Sequence, residues 1–271
     1  MICIFFFIYI KRKIYILNIN GYYDRRIEGH NDDVNLGTFD FKEREIDFIR
    51  IFKHGIDNSS AHEIREIVEE KVTSFKKESE HFKRGYTGTA PIPFVVLAGS
   101  FMARETIHEY FEFDKKETQR FYRLSQKGRY GPLKVVTDVN SIDKDAEDVV
   151  IAVSVTAKIT DADLAQFQGQ NIIKLAIDDP RDNAIRYRSQ LIEYKNAIIS
   201  IVESVGKEMP NLKRIHLVCS CQSCLALELG KEIDDRRVHQ VICYFFDIQK
   251  SPRYPWGIVV NGDQKGTFIQ A

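Results

Sequence analysis

The chain has 271 residues, and its 39 lysine and arginine residues are balanced by 39 aspartate and glutamate residues, so the formal net charge is zero. This length can bury a sizeable core in one or two domains, and the charge balance excludes recruitment of DNA or RNA by a global electrostatic field. A nucleotide ligand would therefore be held by a local patch. The five cysteines are odd in number and three are clustered, which argues against a disulfide framework and favours a reducing cytoplasm.

The chain begins with an apolar stretch. Residues 1–10, MICIFFFIYI, are too few to span a membrane, which needs about 20 apolar residues, and the basic residues come after them, unlike those of a signal peptide. We expect a first strand here and another at residues 13–20, while a mis-called start or a membrane-proximal remnant stays open. A charged amphipathic helix from Ser60 to about Phe82 follows. We treat residues 1–84 as strands and a helix that link to, or remain from, an effector.

The next segment predicts a strand, a turn and a helix. Glycines and prolines in residues 85–93 form a rigid lead into a buried apolar strand at Phe94–Leu97. The small residues Ala98–Ser100 then predict a sharp turn that opens a helix, and the aromatic run Tyr110–Lys116 follows. We assign residues 85–140 to the rest of a first half-domain, with a boundary near Ser141.

Residues 141–271 form the second half-domain of this interpretation. Buried strands are expected at Asp148–Val155 and Asn171–Ile177, and Asp179 with Pro180 predicts a helix start. The stretch that organises this half begins with a buried strand at Ile215–Val218. A turn of small polar residues, Cys219–Ser223, leads from that strand into a helix that we expect to end near Gly230.

The order of apolar run, small-residue turn, helix and aromatic run occurs twice, since Tyr110–Lys116 is matched by Tyr244–Lys250. This predicts an internal duplication with two half-domains facing one site. Strands that alternate with helices predict parallel sheets, and ligands bind beyond the carboxyl ends of such strands. A helix that starts at that edge favours the binding of phosphate, because its first N–H groups and the positive end of its dipole point there.

These segments resemble the SAVED domain across residues 86–262. The resemblance is carried by Tyr86–Phe94, Leu97–Ser100, Phe111–Asp114, His216, Leu217, Leu225–Gly230, Tyr244 and Tyr254. It implies an α/β fold of two fused CARF-like Rossmannoid half-domains with mainly parallel sheets flanked by helices. SAVED domains are sensors of bacterial CBASS and type III CRISPR antiphage systems.

The resemblance also implies a function. Such domains bind cyclic oligonucleotides and activate an attached or partner effector, often by ligand-driven oligomerisation, without catalysis and without a cofactor. We recognise no nuclease, TIR, protease or complete membrane-effector motif before residue 85.

The expected ligand site combines hydroxyls, cations and aromatic rings. Serines near helix starts would hold phosphates, basic side chains would neutralise them, and rings would stack on bases at about 1–3 kcal/mol each. Trp256 could equally be an ordinary core residue. The predicted ligand-binding residues are Ser100, Phe101, Lys115, Cys219, Ser220, Ser223, Tyr244, Arg253, Tyr254 and Trp256.

Three other interpretations stay open. Cys219, Cys221 and Cys224 with His216 could bind zinc, for which thiolates and imidazoles are preferred ligands. Cys219 or Cys221 at a helix start could be the nucleophile of a hydrolase, with His216 or His239 as its base. The sheet could also serve as a protein-interaction domain that binds no nucleotide.

Overall fold

The computed structural model describes residues 13–22, 27–137, 142–233 and 237–271. The strand predicted at residues 1–10 and the boundary predicted near Ser141 lie outside the described residues. Two mainly parallel sheets flanked by helices make up the fold, as predicted.

The first sheet has five strands in the order β2-β1-β3-β4-β5. The first four run parallel, and β5 is antiparallel to β4. Because β1 and β2 belong to this sheet, the segment before residue 85 supplies two of its five strands. The bounds are β1 (Ile14–Asn20), β2 (Phe41–Asp47), β3 (Lys83–Thr89), β4 (Glu109–Phe113) and β5 (Phe121–Arg123).

The second sheet has seven strands in the order β12-β11-β10-β9-β7-β8-β6. Its four central strands, β10, β9, β7 and β8, are parallel, and the outer three are antiparallel to their neighbours. The bounds are β6 (Lys134–Val135), β7 (Asp148–Ser154), β8 (Asn171–Ala176), β9 (Arg214–Ser220), β10 (Gln240–Phe245), β11 (Trp256–Val259) and β12 (Phe268–Gln270).

The two sheets share one topology. The order β2-β1-β3-β4-β5 in the first is repeated as β8-β7-β9-β10-β11 in the second, with the fifth strand antiparallel in both. The predicted duplication corresponds to this repeat, but its register differs from the one that the sequence suggested. The strand equivalent to Arg214–Ser220 is Lys83–Thr89, not Phe94–Leu97.

Six α-helices lie in the described part of the chain. Two of them, each ten residues long, follow β3 and β9 and are almost completely buried. They pack on each other, and each also contacts strands of the opposite sheet, so they form the central layer of the molecule. The bounds are α1 (His30–Asp33), α2 (Ile49–His54), α3 (Asn58–Glu78), α4 (Ile92–Phe101), α5 (Arg188–Glu208) and α6 (Ser223–Glu232).

The structure corrects the strand and the turn that were predicted at residues 94–100. Phe94–Leu97 and Ala98–Ser100 are both inside α4. A short apolar run does not distinguish a buried strand from a helix that is buried on all sides. The glycine-rich lead is the strand instead, since it pairs with β1 and β4. Gly85 suits this position because a Cβ atom there would approach Ile14 and Phe111 within 3.1 Å.

Three helix ends also differ from the prediction. α3 begins with a capping box between Asp57 and Ser60, so the helix starts two residues before Ser60. α5 begins at Arg188 and not at Asp179. α6 ends at Glu232, two residues after Gly230, so Gly230 is inside the helix and does not cap it. Its lack of a side chain permits contact with α4.

Candidate functional site

The candidate site is a cleft of about 270 Å³ where the carboxyl ends of parallel strands from both sheets meet. Gly88 and Thr89 end β3, and Glu112 and Phe113 end β4. From the second sheet, β9 contributes Cys219 and Ser220, and β10 contributes Tyr244 and Phe245. Both central helices begin here, with Ile92 of α4 and Ser223 of α6 in the wall. This edge is where open parallel sheets bind ligands.

Half of the predicted ligand-binding residues lie in this cleft. They come from the loop after β4, the end of β9, the start of α6 and the end of β10: Lys115, Cys219, Ser220, Ser223 and Tyr244. The sheet edge brings these residues together although more than 100 positions separate Lys115 from the rest.

Ser100 and Phe101 do not line the cleft, because they lie at the carboxyl end of α4, away from its start. The Ser100 hydroxyl donates a 2.7 Å hydrogen bond to the Leu97 carbonyl. Lys265 lies over the Phe101 ring at 4.7 Å. The prediction that Ser100 stands at a helix start is therefore wrong.

Arg253, Tyr254 and Trp256 also lie outside the cleft wall. Trp256 is a core residue, stacked on Phe245 with ring centroids 4.8 Å apart and on Phe94 at 5.6 Å. The Tyr254 backbone is bound to the Gln166 side chain through both its N–H and its carbonyl. Tyr254 and Trp256 were predicted to stack on bases, but Tyr254 packs on the second sheet and Trp256 packs against β10 and α4.

Ser220 ends β9 and shares its polar contacts with the loop after β7. Its hydroxyl lies 2.9 Å from the Thr156 hydroxyl, and its carbonyl accepts the N–H groups of Val155 and Thr156. Thr156 also lines the cleft and was missed from the sequence. Each of these two hydroxyls in the cleft wall can either donate or accept a hydrogen bond.

Ser223, the first residue of α6, is bound to the other sheet. Its hydroxyl lies 2.6 Å from the Tyr86 hydroxyl of β3, and both groups are buried. Burial raises the pKa of Tyr86 well above its usual value of 10, so the phenol stays neutral. This hydrogen bond joins the first sheet directly to the helix of the second half.

The most unusual side chain in the cleft wall is Glu112 of β4, which is 5% exposed. Its Oε1 accepts a 2.7 Å hydrogen bond from the Cys224 N–H in the first turn of α6. Burial raises the pKa of Glu112 to about 7, although hydrogen bonds with Cys224, Gln222 and Ser223 act in the opposite direction. Sequence reasoning missed it, but a charged residue inside the aromatic run YFEF was a detectable signal.

Gln222, which precedes α6, orders the segment beside the cleft. Its Oε1 accepts a 2.5 Å hydrogen bond from the Ile185 N–H, and its Nε2 donates to the Tyr122 hydroxyl at 2.8 Å. The segment near Ile185 also holds Asp182 and Asn183 in the cleft wall. Gln222 is therefore a third residue, after Thr156 and Glu112, that the sequence analysis missed.

Charged and aromatic groups surround the cleft mouth. Lys115 lines it, with its Nζ 5.8 Å from the centre of the Tyr22 ring. Lys116 is paired with Asp182 at 2.9 Å. Tyr22 and Phe246 line the cleft with 47% and 39% of their surfaces exposed, and the Tyr22 ring also stacks with Phe52 at 6.4 Å.

Cys221 of the cleft wall and the neighbouring Cys224 do not have the chemistry of a nucleophile. A hydrogen bond with Cys219 and burial raise the pKa of Cys221 well above 9, and burial and the Glu112 carboxyl do the same for Cys224. Both are therefore thiols near neutral pH, whereas a reactive cysteine is a thiolate. Across the described ranges, no group of three or more His, Cys, Asp or Glu side chains is arranged to hold a metal ion.

A larger cavity of about 730 Å³ lies at the opposite ends of α4 and α6. Its buried polar groups satisfy one another: Glu228 accepts from the Tyr110 hydroxyl and from Lys231, both at 2.5 Å. It contains the carboxyl end of no strand in the described part of the chain. We therefore take the smaller cleft as the candidate site.

The longest helices of the described residues are α3 and α5, with 21 residues each. No helix in this part of the chain combines the length and the apolar character required to cross a bilayer. The apolar stretch at residues 1–10 is outside the described residues.

Comparison with known families decides what kind of domain carries this cleft. The model of the SMODS-associated and fused to various effectors sensor domain, SAVED, matches residues 68–260. The chain belongs to the SAVED family. This SAVED domain matches no curated protein.

Solved structures share the fold of this SAVED domain. The Cap4 SAVED/CARF-domain containing receptor of Acinetobacter baumannii with the cyclic trinucleotide 2'3'3'-cAAA gives a TM-score of 0.61 at 13% identity, over 93% of this chain and 51% of that chain. The same receptor with 3'3'3'-cAAA gives 0.56 at 12% identity, over 90% and 51%. Cap4 of Moraxella osloensis gives 0.54 at 11% identity, over 93% and 50%. The SAVED domain described here spans about half the length of these receptors.

Proposed function

We propose that this SAVED domain is a non-enzymatic sensor that binds a cyclic oligonucleotide second messenger in the cleft. The observation that carries the proposal is the meeting of both parallel sheets, and of the first turns of α4 and α6, at one cleft. A ligand there contacts both halves of the chain at once. The solved receptors with cyclic trinucleotides support this choice of ligand class.

The wall of the cleft has the chemistry that such a ligand needs. The hydroxyls of Ser220 and Thr156 and the ammonium group of Lys115 would contact phosphate oxygens. The exposed rings of Tyr22 and Phe246 would stack on bases. These two rings take the role that the sequence suggested for Tyr254 and Trp256.

An effector of antiphage defence in the cytoplasm then responds to the ligand-bound domain. The effector is either attached to this domain or a separate partner such as a nuclease, a protease, a TIR domain or a membrane protein. Ligand-driven self-association of the SAVED domain would activate it. Size-exclusion chromatography with light scattering, with and without ligand, measures that step.

The direct test is a thermal-shift screen against cyclic di-, tri- and tetranucleotides, followed by calorimetry of each ring that shifts the transition. A ligand at about 100 times its dissociation constant stabilises the folded state by about 2.7 kcal/mol. We expect one ring size to raise the melting temperature without being hydrolysed. A folded sample that responds to none of the rings would favour a protein-interaction domain that binds no nucleotide.

Variants locate the binding site. Lys115→Gln removes the ammonium group of the cleft wall, and we expect it to weaken binding about tenfold because a charge-assisted contact to phosphate is lost. Lys127→Gln changes an exposed lysine outside the wall and is the matched control. Equal binding by both variants would place the ligand elsewhere.

A further inference from the structure

The two helices that begin at the cleft differ in how their first N–H groups are used. The amino end of a helix attracts anions because its first N–H groups lack partners within the helix and its dipole is positive there. In the pseudo-symmetric halves of this chain, a ligand with several phosphates would have two such ends available. Whether phosphate can bind at either end depends on whether the N–H groups there already have hydrogen-bond partners in the protein.

The amino end of α6 is already occupied by an acidic side chain of the protein. Glu112 Oε1 accepts the Cys224 N–H at 2.7 Å, and the Ser223 N–H also contacts this carboxyl. Glu112 is 5% exposed and lines the cleft. A buried carboxyl group thus holds the position that an external phosphate would take.

Glu112 is held there by a paired strand and not by a loop. In β4 it lies opposite Tyr122 of β5, and the preceding residue, Phe111, is paired with Thr87 of β3. Strands on both sides therefore restrict movement of its backbone. A ligand phosphate would have to displace a carboxylate whose main chain cannot withdraw.

The amino end of α4 does not offer N–H donors in place of those that Glu112 occupies on α6. Pro91 precedes the helix and Pro93 is its second residue, so Pro93 has no N–H. The Phe94 N–H is bound to the Pro91 carbonyl at 3.0 Å. The α4 side of the cleft therefore offers apolar surface from Ala90 and Ile92 more than amide donors.

We propose that Glu112 is a specificity-determining residue that keeps phosphate away from the amino end of α6 and accepts a hydrogen bond from an amino group of a base. The phosphates then face Lys115 and the hydroxyls of Ser220 and Thr156. Exclusion of phosphate depends on this chain alone, whereas the contact with a base rests on the proposed function. Carboxylates accept hydrogen bonds from exocyclic amines of bases in other nucleic-acid sites.

The exclusion is tested by titrating inorganic phosphate into isotopically labelled protein and following the backbone N–H signals of Ser223 and Cys224. In the wild type we expect no saturable shift of either signal. Glu112→Ala frees both N–H groups, and we expect saturable shifts there. Glu112→Gln is the matched control, because its carbonyl oxygen can still accept the Cys224 N–H, and it should behave like the wild type.

A saturable phosphate shift at Cys224 in the wild type would overturn the inference, and this result needs no variant. Folded Glu112→Ala protein that gains no phosphate response would overturn it as well. If Glu112→Ala does not fold, the wild type and Glu112→Gln still decide the question.

The contact with a base is tested by calorimetry with two rings, cyclic triadenylate and the same ring with unsubstituted purine in place of adenine. We expect the wild type to prefer adenine by about tenfold, the cost of one hydrogen bond to a charged group. In Glu112→Gln the side-chain oxygen stays on Cys224 and the amide NH₂ faces the ligand, so the preference should vanish.

Equal binding of both rings by the wild type would contradict the base contact. Binding of neither ring would contradict the proposed function for these ligands, and the base contact with it. The phosphate titration would then still decide what occupies α6, so the two failures are distinguishable.

Discussion

Gly99 of α4 and Gly230 of α6 lie against each other at the centre of the molecule. A Cβ atom on Gly99 would stand 3.0 Å from the Gly230 Cα and 2.2 Å from the Leu227 carbonyl oxygen, and a Cβ on Gly230 would stand 2.0 Å from the Val96 oxygen. The contact is reciprocal because the two helices are equivalent elements of the two halves. It fixes how close the halves can approach.

We expect Gly99→Ala and Gly230→Ala each to destabilise the fold by roughly 3 kcal/mol, at the upper end of the cost of overpacking, because backbone atoms must move. Urea unfolding measures the change. Gly131→Ala is the control, since a Cβ atom there meets nothing within 4 Å, and it should change stability by less than about 0.5 kcal/mol. A neutral Gly230→Ala would show that the helices can separate at low cost.

The pH dependence of the stability of the fold should reveal the titration of the Glu112 carboxyl. Its pKa is about 7 in the folded protein and 4.5 in the unfolded chain, so between these values the folded state holds a proton that the unfolded state has lost. Stability therefore falls as pH rises from 4.5 to about 7, by roughly 3 kcal/mol in total. Glu112→Gln should remove this slope and be the more stable protein above pH 7.

Other titrating groups do not obscure that comparison. The groups that face Glu112 from β3, β5, α6 and the turn before α6 are Tyr86, Tyr122, Cys224 and Cys221. Their pKa values are all raised, so they stay neutral over this range. Lys115 lines the same cleft. Burial lowers the pKa of His108 and His216, which adds the opposite slope to both proteins alike. The exposed Glu117→Gln should keep the wild-type slope, and an unchanged slope in Glu112→Gln would contradict the prediction.

The hydrogen bond between Tyr86 and Ser223 should couple the two halves energetically. Tyr86→Phe and Ser223→Ala each leave a buried hydroxyl without this partner, at about 1–3 kcal/mol. In a double-mutant cycle we expect a coupling energy of about 1 kcal/mol, measured by urea unfolding. Tyr130→Phe, which loses an exposed bond to Glu193, should cost far less; a coupling near zero would mean that each hydroxyl finds another partner.

Replacement of Trp256 should reduce the stability of the fold, whereas replacement of Tyr22 should weaken ligand binding. Trp256→Ala removes a buried ring from the core, so we expect a loss of about 3–5 kcal/mol of stability. Trp256→Phe, which keeps an aromatic ring, should fold and bind the ligand as the wild type does. Tyr22→Ala should leave stability nearly unchanged and weaken ligand binding by about 1–3 kcal/mol.

Calorimetry with the ring identified in the screen, together with unfolding curves, separates these effects. Weaker binding by Trp256→Phe with full binding by Tyr22→Ala would restore the role first suggested for Trp256.

The sequence by itself determined the fold class and the second half of the cleft. Asp148–Ser154 and Arg214–Ser220 are apolar runs that lead into polar residues, and local chemistry is enough to predict a buried strand followed by a turn. Cys219, Ser220 and Ser223 could be placed at the edge that forms the cleft, because the carboxyl ends of parallel strands always share one edge.

Only the tertiary structure decided the first half of the cleft. Residues 93–100 are apolar on every side because α4 is buried between the two sheets, so they lack the periodicity that identifies a helix. The role of Glu112 depends on Cys224, 112 positions away, and that of Ser223 on Tyr86, 137 positions away. Such contacts come from the packing of two half-domains against each other, and no local pattern of residues encodes that packing.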